Sequence, residues 1–264
     1  MLKLIKSILL TLLMLGVSFN SIAKESPTDK GLRLAKDIEA ANSGFVGEDS
    51  VMEMILIDAY NSKTTREMIG KTMETSKDGD KSLMIFKNPK DVKGTKMLTW
   101  THKEGDDDQW LFLPSLRRIK RISSRSKTSS FMGSEFSYED LGSQEIDKYT
   151  FKWIKDSKNK KGEPIYILER YPKKKSGYKK MVMFISKKMK SAIRMEYFDK
   201  KGELLKVGIF KKFKAFKVNG KTIYRAGVIE MKNVQTKKSS LFTWKSRKLG
   251  VKHRKRDFDK KSLK

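Results

Sequence analysis

The chain has 264 residues, no cysteine and a formal net charge of +29 at pH 7. The absence of cysteine excludes a disulfide framework and a lipidated N-terminal cysteine, so the hydrophobic core alone must hold the fold. The positive charge favours an anionic partner such as nucleic acid, a lipid headgroup, lipopolysaccharide or an acidic protein, although a merely solvated basic surface has the same composition.

Residues 1–23 have the organisation of a secretory signal peptide. Two lysines precede a short apolar run at 8–17, and Ser21 and Ala23 place small residues where signal peptidase reads them. The run is shorter than the roughly 18 apolar residues of a membrane-spanning helix, which argues against the alternative of an uncleaved anchor. We therefore expect cleavage after Ala23 and a mature chain, residues 24–264, that is free in the periplasm.

The mature chain is predicted to begin with one helix over residues 28–42. Thr28 can cap its N-terminus, and a glycine at position 44 or 47 can end it. The apolar residues recur at helical spacing and form one stripe: Leu32, Ala35, Ile38 and Ala41.

After this helix the apolar residues alternate with a period of two. Turn signals such as Asp78-Gly79 and Asn219-Gly220 separate the successive runs. Spacing of roughly ten residues between runs predicts about eleven strands in a mainly β, antiparallel sheet or barrel. Some runs, such as WLFL at 110–113, are apolar at every position and are typical of strands covered on both faces. The cover for the inner face is either the helix or a ligand.

No motif indicates catalysis, a cofactor or nucleic-acid binding. His102 and His253 are far apart, and HExxH, GxSxG and glycine-rich phosphate loops are missing. The SxxK match at 124–127 lacks its companion motifs, and the acidic residues at 105–108 are best interpreted as a solvated turn. Recognition-helix, zinc-finger and ribonucleoprotein patterns are also missing. We predict a protein that is not an enzyme, with no catalytic or metal-binding residues and no nucleic-acid partner.

Several blocks of the chain are long and unusual, among them DQWLFLP, RRIKRIS and FMGSEFSYEDL. With the blocks around them they resemble the outer membrane lipoprotein-sorting proteins of the LolA-like superfamily, in the branch found alongside RND-type exporters. The resemblance runs from about residue 48 to residue 258 and implies one LolA-like domain over the mature chain. It implies an open, incompletely closed antiparallel β-barrel around a hydrophobic cavity, with helices across the opening. It also implies a periplasmic carrier for acyl chains of lipoproteins or of another lipid.

A cavity accounts for the strands that are apolar on both faces and for the 14 methionines and 14 phenylalanines. Methionine is flexible and polarisable, which suits a pocket for a mobile chain, although any single one of these residues can equally be ordinary core. The predicted lipid-binding residues are Met52, Met54, Leu56, Trp100, Trp110, Phe112, Phe131, Met132, Phe136, Tyr138 and Phe184.

The segment FMGSEFSYEDLG, residues 131–142, is acidic and aromatic within a basic chain. We interpret it as a lid over the barrel mouth, with its four large apolar side chains turned inward and Gly133 and Gly142 allowing the backbone to bend. Its acids would pair with the basic run RRIKRI at 117–122. The alternative is a loop packed on the core with ordinary surface ion pairs. The acids are Glu135, Glu139 and Asp140.

The C-terminal end is strongly basic and has little apolar periodicity after Val251, so we predict a solvated, loosely held tail. Such a cluster can bind an anionic membrane surface electrostatically, although it can equally serve solubility alone. The predicted membrane-docking residues are Lys252, Arg254, Lys255 and Arg256.

The resulting hypothesis is a monomeric periplasmic carrier that moves lipoprotein acyl chains or another lipid towards the outer membrane. One alternative is a non-carrier accessory subunit of an inner-membrane RND-type exporter. A third hypothesis, an enzyme acting on envelope lipids, has no motif in its favour. Lipid that copurifies with the protein distinguishes the first two.

Overall fold

A computed structural model describes residues 25–264, so the predicted signal peptide and its cleavage site at Ala23 lie outside the described residues. The described part contains one α-helix, α1 (Pro27–Asn42), and fifteen strands. None of its helices is long and apolar enough to cross a membrane. The strands are β1 (Gly47–Ile57), β2 (Lys63–Met73), β3 (Lys81–Asn88), β4 (Lys96–Trp100), β5 (Asp108–Leu113), β6 (Arg118–Ile122), β7 (Tyr149–Lys158), β8 (Pro164–Pro172), β9 (Lys180–Ser186), β10 (Ser191–Phe198), β11 (Leu204–Lys211), β12 (Lys214–Val218), β13 (Lys221–Arg225), β14 (Val228–Asn233) and β15 (Ser239–Leu249).

Thirteen of the strands form one antiparallel sheet in the order β6-β5-β4-β3-β2-β1-β15-β14-β11-β10-β9-β8-β7. The first and last strands are therefore neighbours, and β6 and β7, which follow each other along the chain, are the two edges. Because these edges do not pair with each other, the sheet is an open barrel. The predicted architecture is confirmed, with thirteen strands and a separate β12–β13 hairpin in place of about eleven strands.

The helix begins earlier than predicted. Ser26, and not Thr28, is the N-cap: its Oγ accepts a hydrogen bond from the Asp29 backbone N–H at 3.1 Å. Pro27 follows as the first helical residue, where its fixed φ and missing N–H cost nothing. The Ser-Pro pair therefore sets the start of the helix.

The buried stripe of α1 is also different from the predicted one. Gly31, Leu34 and Ala35 are buried, whereas Leu32 is exposed. A Cβ added to Gly31 would lie 2.8 Å from the backbone nitrogen of Trp153. Glycine therefore lets α1 approach the backbone of β7 closely and pack across the interior of the sheet.

Strands β3 to β5 are apolar on both faces, as predicted for WLFL. Met97 and Leu111 face the barrel interior, whereas Leu98 and Trp110 belong to a separate cluster on the outer face. That outer cluster is completed by the C-terminal segment, residues 250–264. The chain itself supplies the cover for the outer face.

The prediction of a loosely held tail is therefore wrong. Phe258 and Leu263 are fully buried against the outer face, within the short 3₁₀ helices Lys255–Phe258 and Lys260–Leu263. The indole Nε1 of Trp100 donates a hydrogen bond to the Phe258 carbonyl at 2.7 Å. Phe258 and Leu263 hold the C-terminal segment in place. Two buried residues are too few to produce a periodic apolar pattern in the sequence.

The β12–β13 hairpin packs against the C-terminal end of α1. Its Asn219-Gly220 turn has positive φ at both residues, as a two-residue hairpin turn requires. Lys221 Nζ donates to the Ser43 carbonyl at 2.6 Å, and Arg225 Nη2 donates to the Asn42 carbonyl at 2.9 Å. These cations satisfy carbonyls that the helix end leaves open and complement its dipole.

Candidate functional site

A cavity of about 1050 Å³ lies between α1 and the interior faces of β7 to β11. It is at the upper end of the range for ligand pockets, about 300–1,000 Å³. Its walls are mainly apolar and contain small, flexible and aromatic side chains. These residues are Ala35, Ile38, Phe151, Met183, Ala192, Met195, Tyr197 and Phe210.

One side of this larger cavity is polar. Burial raises the pKa of Asp80 to about 7, and burial together with the charge of Glu39 raises the pKa of Glu145. Glu74 is held by the backbone N–H groups of Gly44 and Val46, at 2.5 and 2.7 Å from its carboxylate oxygens. The polar side therefore contains two carboxyl groups, those of Asp80 and Glu145, that burial makes harder to ionise.

A smaller cavity of about 480 Å³ lies where β6 ends and β7 begins, at the opening of the barrel. Its lining is largely polar and charged. The two cavities are adjacent, because five residues line both of them: Lys103, Asp140, Ser143, Gln144 and Arg170.

Arg170 on β8 is buried at this junction, with 4% of its surface exposed. Its Nη2 donates to Gln144 Oε1 at 2.7 Å, and its Nε lies 3.3 Å from the Met181 sulfur. The guanidinium carbon is 4.5 Å from the centre of the Tyr149 ring. Within residues 25–264, no carboxylate lies within ion-pair distance of this side chain.

The middle segment, residues 123–148, runs from β6 to β7 and packs into the barrel. Phe131 is fully buried, with its ring centre 6.0 Å from Phe86 and 5.6 Å from Tyr138. The Phe136 ring lies 4.6 Å from Phe242 on β15. Gly133 has a positive φ of 77°, which turns the backbone as predicted. These aromatic side chains are turned inward and packed in the core, and the role of the segment as a lid stays a prediction.

The predicted latch has different partners. Asp140 pairs with Lys206 on β11 at 2.6 Å, and Glu135 accepts a hydrogen bond from Asn233 Nδ2 at 2.8 Å. Glu139 accepts from the Gly177 backbone N–H at 3.0 Å. The basic side chains at 117–122 are exposed, and none of them forms an ion pair with Glu135, Glu139 or Asp140 within the described chain.

The predicted lipid-binding residues separate into three groups, and none of them lines either cavity. The first group lies on the interior face of β1: Met52, Met54 and Leu56. They share one packed core with the four predicted residues of the middle segment, and this segment fills the half of the barrel next to β1. The four are Phe131, Met132, Phe136 and Tyr138. A second group lies on the outer face under the C-terminal segment: Trp100, Trp110 and Phe112.

Phe184 forms the third group. It points outward from β9, with the Arg194 guanidinium 5.8 Å from its ring centre. The prediction that Phe184 and the three outer-face residues share a lining with Met54 is wrong, because successive strand residues point to opposite faces. Lipid binding by the interior group stays a prediction.

The apolar strand residues that line the larger cavity were missed by the sequence analysis. They lie on β7, β9, β10 and β11, where the apolar residues alternate as regularly as on β1. Met183, Met195 and Phe210 are each on the interior face of their strand. The period-two pattern marks these residues, but it does not show which part of the barrel stays open.

The predicted membrane-docking residues all stay exposed on the ordered C-terminal segment: Lys252, Arg254, Lys255 and Arg256. Arg254 forms an ion pair with Asp257 at 3.7 Å. Their proposed role at a membrane is a prediction for experiment.

The three aspartates predicted to form a solvated turn at 105–108 have cationic partners. Asp106 pairs with Lys127 at 2.8 Å, and Asp107 pairs with Lys148. His102 bridges Asp78 and Asp108 at 2.7 and 3.3 Å. Although burial lowers the pKa of His102, these hydrogen bonds raise it overall. This turn therefore tethers the middle segment to the β4–β5 loop.

Comparisons with known proteins agree on the fold. A family model described as "Uncharacterized protein" matches residues 78–264, and no curated protein matches the chain. The structure of a protein described as an outer membrane lipoprotein-sorting protein domain, from Vibrio parahaemolyticus, has 42% sequence identity and a TM-score of 0.85, covering 89% of this chain and 99% of its own.

Two further solved structures are similar. A DUF1329 family protein from Desulfovibrio piger has 28% identity and a TM-score of 0.84, over 90% of this chain and 100% of its own. A LolA superfamily protein from Nitrosomonas europaea has 16% identity and a TM-score of 0.68, over 88% of this chain and 98% of its own, and shows the fold alone.

Proposed function

The chain belongs to the LolA-like family of outer membrane lipoprotein-sorting proteins, and we propose that it is a periplasmic carrier that binds acyl chains in its larger cavity. The proposed cargo is a lipoprotein or another lipid that travels towards the outer membrane. The observation that carries the proposal is the apolar cavity between α1 and β7 to β11. A cavity of this size and lining suits a flexible hydrocarbon chain.

The energy scale fits a carrier. Burying about fifteen methylenes at roughly 0.8 kcal/mol each stabilises the bound chain by on the order of 12 kcal/mol, before ordering costs. A bilayer stabilises the same chain by a similar amount. Loading and release therefore need only a modest bias, such as a partner that favours one of the two states.

Helix α1 is the proposed cover of the acyl chain. Ala35 and Ile38 are on the cavity wall, while the N-terminal half of the helix is held to β7 at Gly31. The C-terminal half is held by side-chain hydrogen bonds from Lys221 and Arg225. Side-chain bonds of this kind are easier to break than close backbone packing, so we propose that cargo enters beside the C-terminal half.

The test is binding of a fluorescent fatty acid to the mature protein. We expect saturation at one site, and Ala192→Trp should weaken binding because the indole fills part of the cavity. Val182→Trp, on the outward face of the neighbouring strand β9, is the matched control and should bind normally. Normal binding by a folded Ala192→Trp variant would overturn the assignment of this cavity.

The accessory-subunit alternative makes a different prediction for the purified protein. A carrier retains acyl cargo, so mass spectrometry of an organic extract should find lipid in a fixed ratio to protein. A subunit that only docks onto an RND-type exporter should carry none. The same preparation can be used for the binding assay after delipidation.

A further inference from the structure

Two cationic side chains of the described chain are almost fully buried, Lys206 and Arg170, each with 4% of its surface exposed. Lys206 is compensated by Asp140 at 2.6 Å, whereas Arg170 has no carboxylate partner within residues 25–264. Arg170 has only an amide oxygen, two methionine sulfurs and an aromatic ring around it. Burying a charge without a counter-charge is expensive, so an anion bound beside Arg170 would offset part of this cost.

Part of the guanidinium is free to make further bonds. Its Nη2 is bonded to Gln144, but Nη1 makes no hydrogen bond to any residue in the described range 25–264. Gln144 is itself exposed, and both Gln144 and Arg170 line the smaller cavity. The guanidinium of Arg170 therefore lies directly beneath the surface of this cavity. A ligand that enters this cavity can therefore reach Arg170.

The charges around the smaller cavity leave Arg170 uncompensated. Of the acids that line it, Asp106, Asp107 and Asp140 are paired with lysines, and Glu139 is held by Gly177. The remaining two acids are Glu104 and Asp147, and both are exposed. The same cavity is also lined by three exposed lysines that make no ion pair within the described chain: Lys173, Lys174 and Lys175.

Arg170 also lies where the environment changes from apolar to polar. On one side is the larger cavity with Met183, Met195 and Phe210, and on the other is the charged smaller cavity. An amphiphile placed across this junction would have its acyl chain in the first cavity and its polar head in the second. The guanidinium is at the position of the head group.

We infer that Arg170 binds the anionic head group, a phosphate or a carboxylate, of an amphiphilic cargo whose acyl chain occupies the larger cavity. This inference rests on the proposed carrier function and narrows its cargo to anionic lipids. A guanidinium fork matches both oxyanions and can bind either through two parallel hydrogen bonds. The rim lysines would add attraction for the approaching head group.

The experiment compares three fluorescent probes with the same acyl label: a phosphatidylglycerol, a free fatty acid and an uncharged diacylglycerol. Wild type should bind at least one anionic probe about tenfold or more tightly than the diacylglycerol, as expected for a charge-assisted hydrogen bond. The two anionic probes separate a phosphate head from a carboxylate. Equal affinity for all three probes would overturn the inference without any variant.

Variants then assign the effect to this residue. Arg170→Met suits the methionine surroundings and should abolish the preference for anionic probes while diacylglycerol binding stays within about twofold. Arg170→Lys keeps the charge and should retain part of the preference. Arg194→Met, which removes an outward-facing arginine next to Met195, is the matched control and should behave as wild type.

The outcomes distinguish a failure of the carrier function from a failure of the head-group assignment. If wild type binds none of the probes, the carrier function fails and the inference fails with it. If wild type binds all of them and Arg170→Met keeps the same preference, only the head-group assignment fails. If Arg170→Met and Arg170→Lys weaken all three probes equally, Arg170 has a structural role and the inference is also overturned.

Discussion

Lys206 Nζ lies 2.6 Å from Asp140 Oδ2, and the two side chains are 5% and 6% exposed. The same ammonium donates a second hydrogen bond to the Glu135 carbonyl at 3.0 Å. Tyr178 donates to the other Asp140 oxygen at 2.9 Å. The middle segment is thus anchored to β11 from inside the barrel.

Removing one member of this buried pair should be costly. Lys206→Met leaves the Asp140 carboxylate buried without its counter-charge, and we expect a loss of about 3–5 kcal/mol in the free energy of unfolding. Urea denaturation measures this loss. Lys211→Met on the same strand breaks an exposed pair with Glu230 and should cost less than about 1 kcal/mol. Similar losses in both variants would contradict an anchoring role for Lys206.

Asp80 should make stability depend on pH. Because burial raises its pKa from 3.8 to about 7, the folded protein holds this proton more tightly than the unfolded chain. The resulting penalty is absent below about pH 4, grows as the pH rises to about 7, and is constant above that. Asp80→Asn should therefore be about 2–4 kcal/mol more stable than wild type at pH 8 and equal to it near pH 4.

Asp78 should affect stability in the opposite direction to Asp80. Urea denaturation at several pH values measures both effects. A hydrogen bond from His102 lowers its pKa to about 2, so its carboxylate stabilises the folded state above about pH 4, and this contribution is lost as the pH falls towards 2. Asp78→Asn should accordingly be less stable than wild type at pH 8. A pH-independent difference for Asp80→Asn would contradict the assignment of its pKa.

The C-terminal anchor predicts a large effect from a single residue near the end of the chain. Phe258→Ala should cost about 3–5 kcal/mol, because it removes a fully buried ring and leaves a cavity under the outer face. Hydrogen exchange should rise across β3 to β5. Leu116→Ala, at an exposed leucine, is the control and should change stability by less than about 0.5 kcal/mol. Unchanged exchange in the Phe258 variant would argue against the covering role.

The exposed cations of the C-terminal segment predict salt-sensitive binding to anionic vesicles. Each basic residue near such a surface contributes about 1 kcal/mol, and the attraction is screened over about 8 Å at physiological ionic strength. Changing Lys252, Arg254, Lys255 and Arg256 to glutamine should reduce the fraction that sediments with anionic vesicles and leave fatty-acid affinity unchanged.

The matched control for vesicle binding replaces four exposed lysines of the β7–β8 hairpin with glutamine: Lys155, Lys158, Lys160 and Lys161. This variant has the same net charge as the tail variant and should sediment as wild type does. Equal losses in the two variants would show that net charge, and not the C-terminal segment, controls binding. Equal sedimentation with neutral and anionic vesicles would exclude electrostatic docking.

The regular part of the fold was predictable because it depends on local patterns. Period-two alternation gave the antiparallel strands, and Asn219-Gly220 gave a hairpin turn that the structure contains. The partners of the middle segment were not predictable, since Asp140 reaches Lys206 and Glu135 reaches Asn233, far along the chain. The sequence analysis instead paired these acids with the basic run at 117–122, because that run is close to them along the chain.

The candidate site was harder to predict than the fold. Arg170 is one of 60 lysines and arginines, and its near-complete burial without a carboxylate partner is seen only in the folded chain. The cavity is likewise a space left between α1 and the sheet, and its position depends on which half of the barrel the middle segment fills. Neither property is a pattern of neighbouring residues.

The pairing of the first strand with the last has a consequence for the order of folding. Strands β1 to β6 and strands β7 to β15 are each connected largely by neighbours in sequence, and their only backbone pairing within the described chain is between β1 and β15. In this pair of strands Glu48 lies opposite Leu249, and Ile57 lies opposite Ser239, about 180 to 200 residues away along the chain. Contacts of such high contact order form slowly, because loop-closure entropy is lost before they can stabilise the chain. The β1–β15 seam is therefore expected to close last, after each half has formed its own meander.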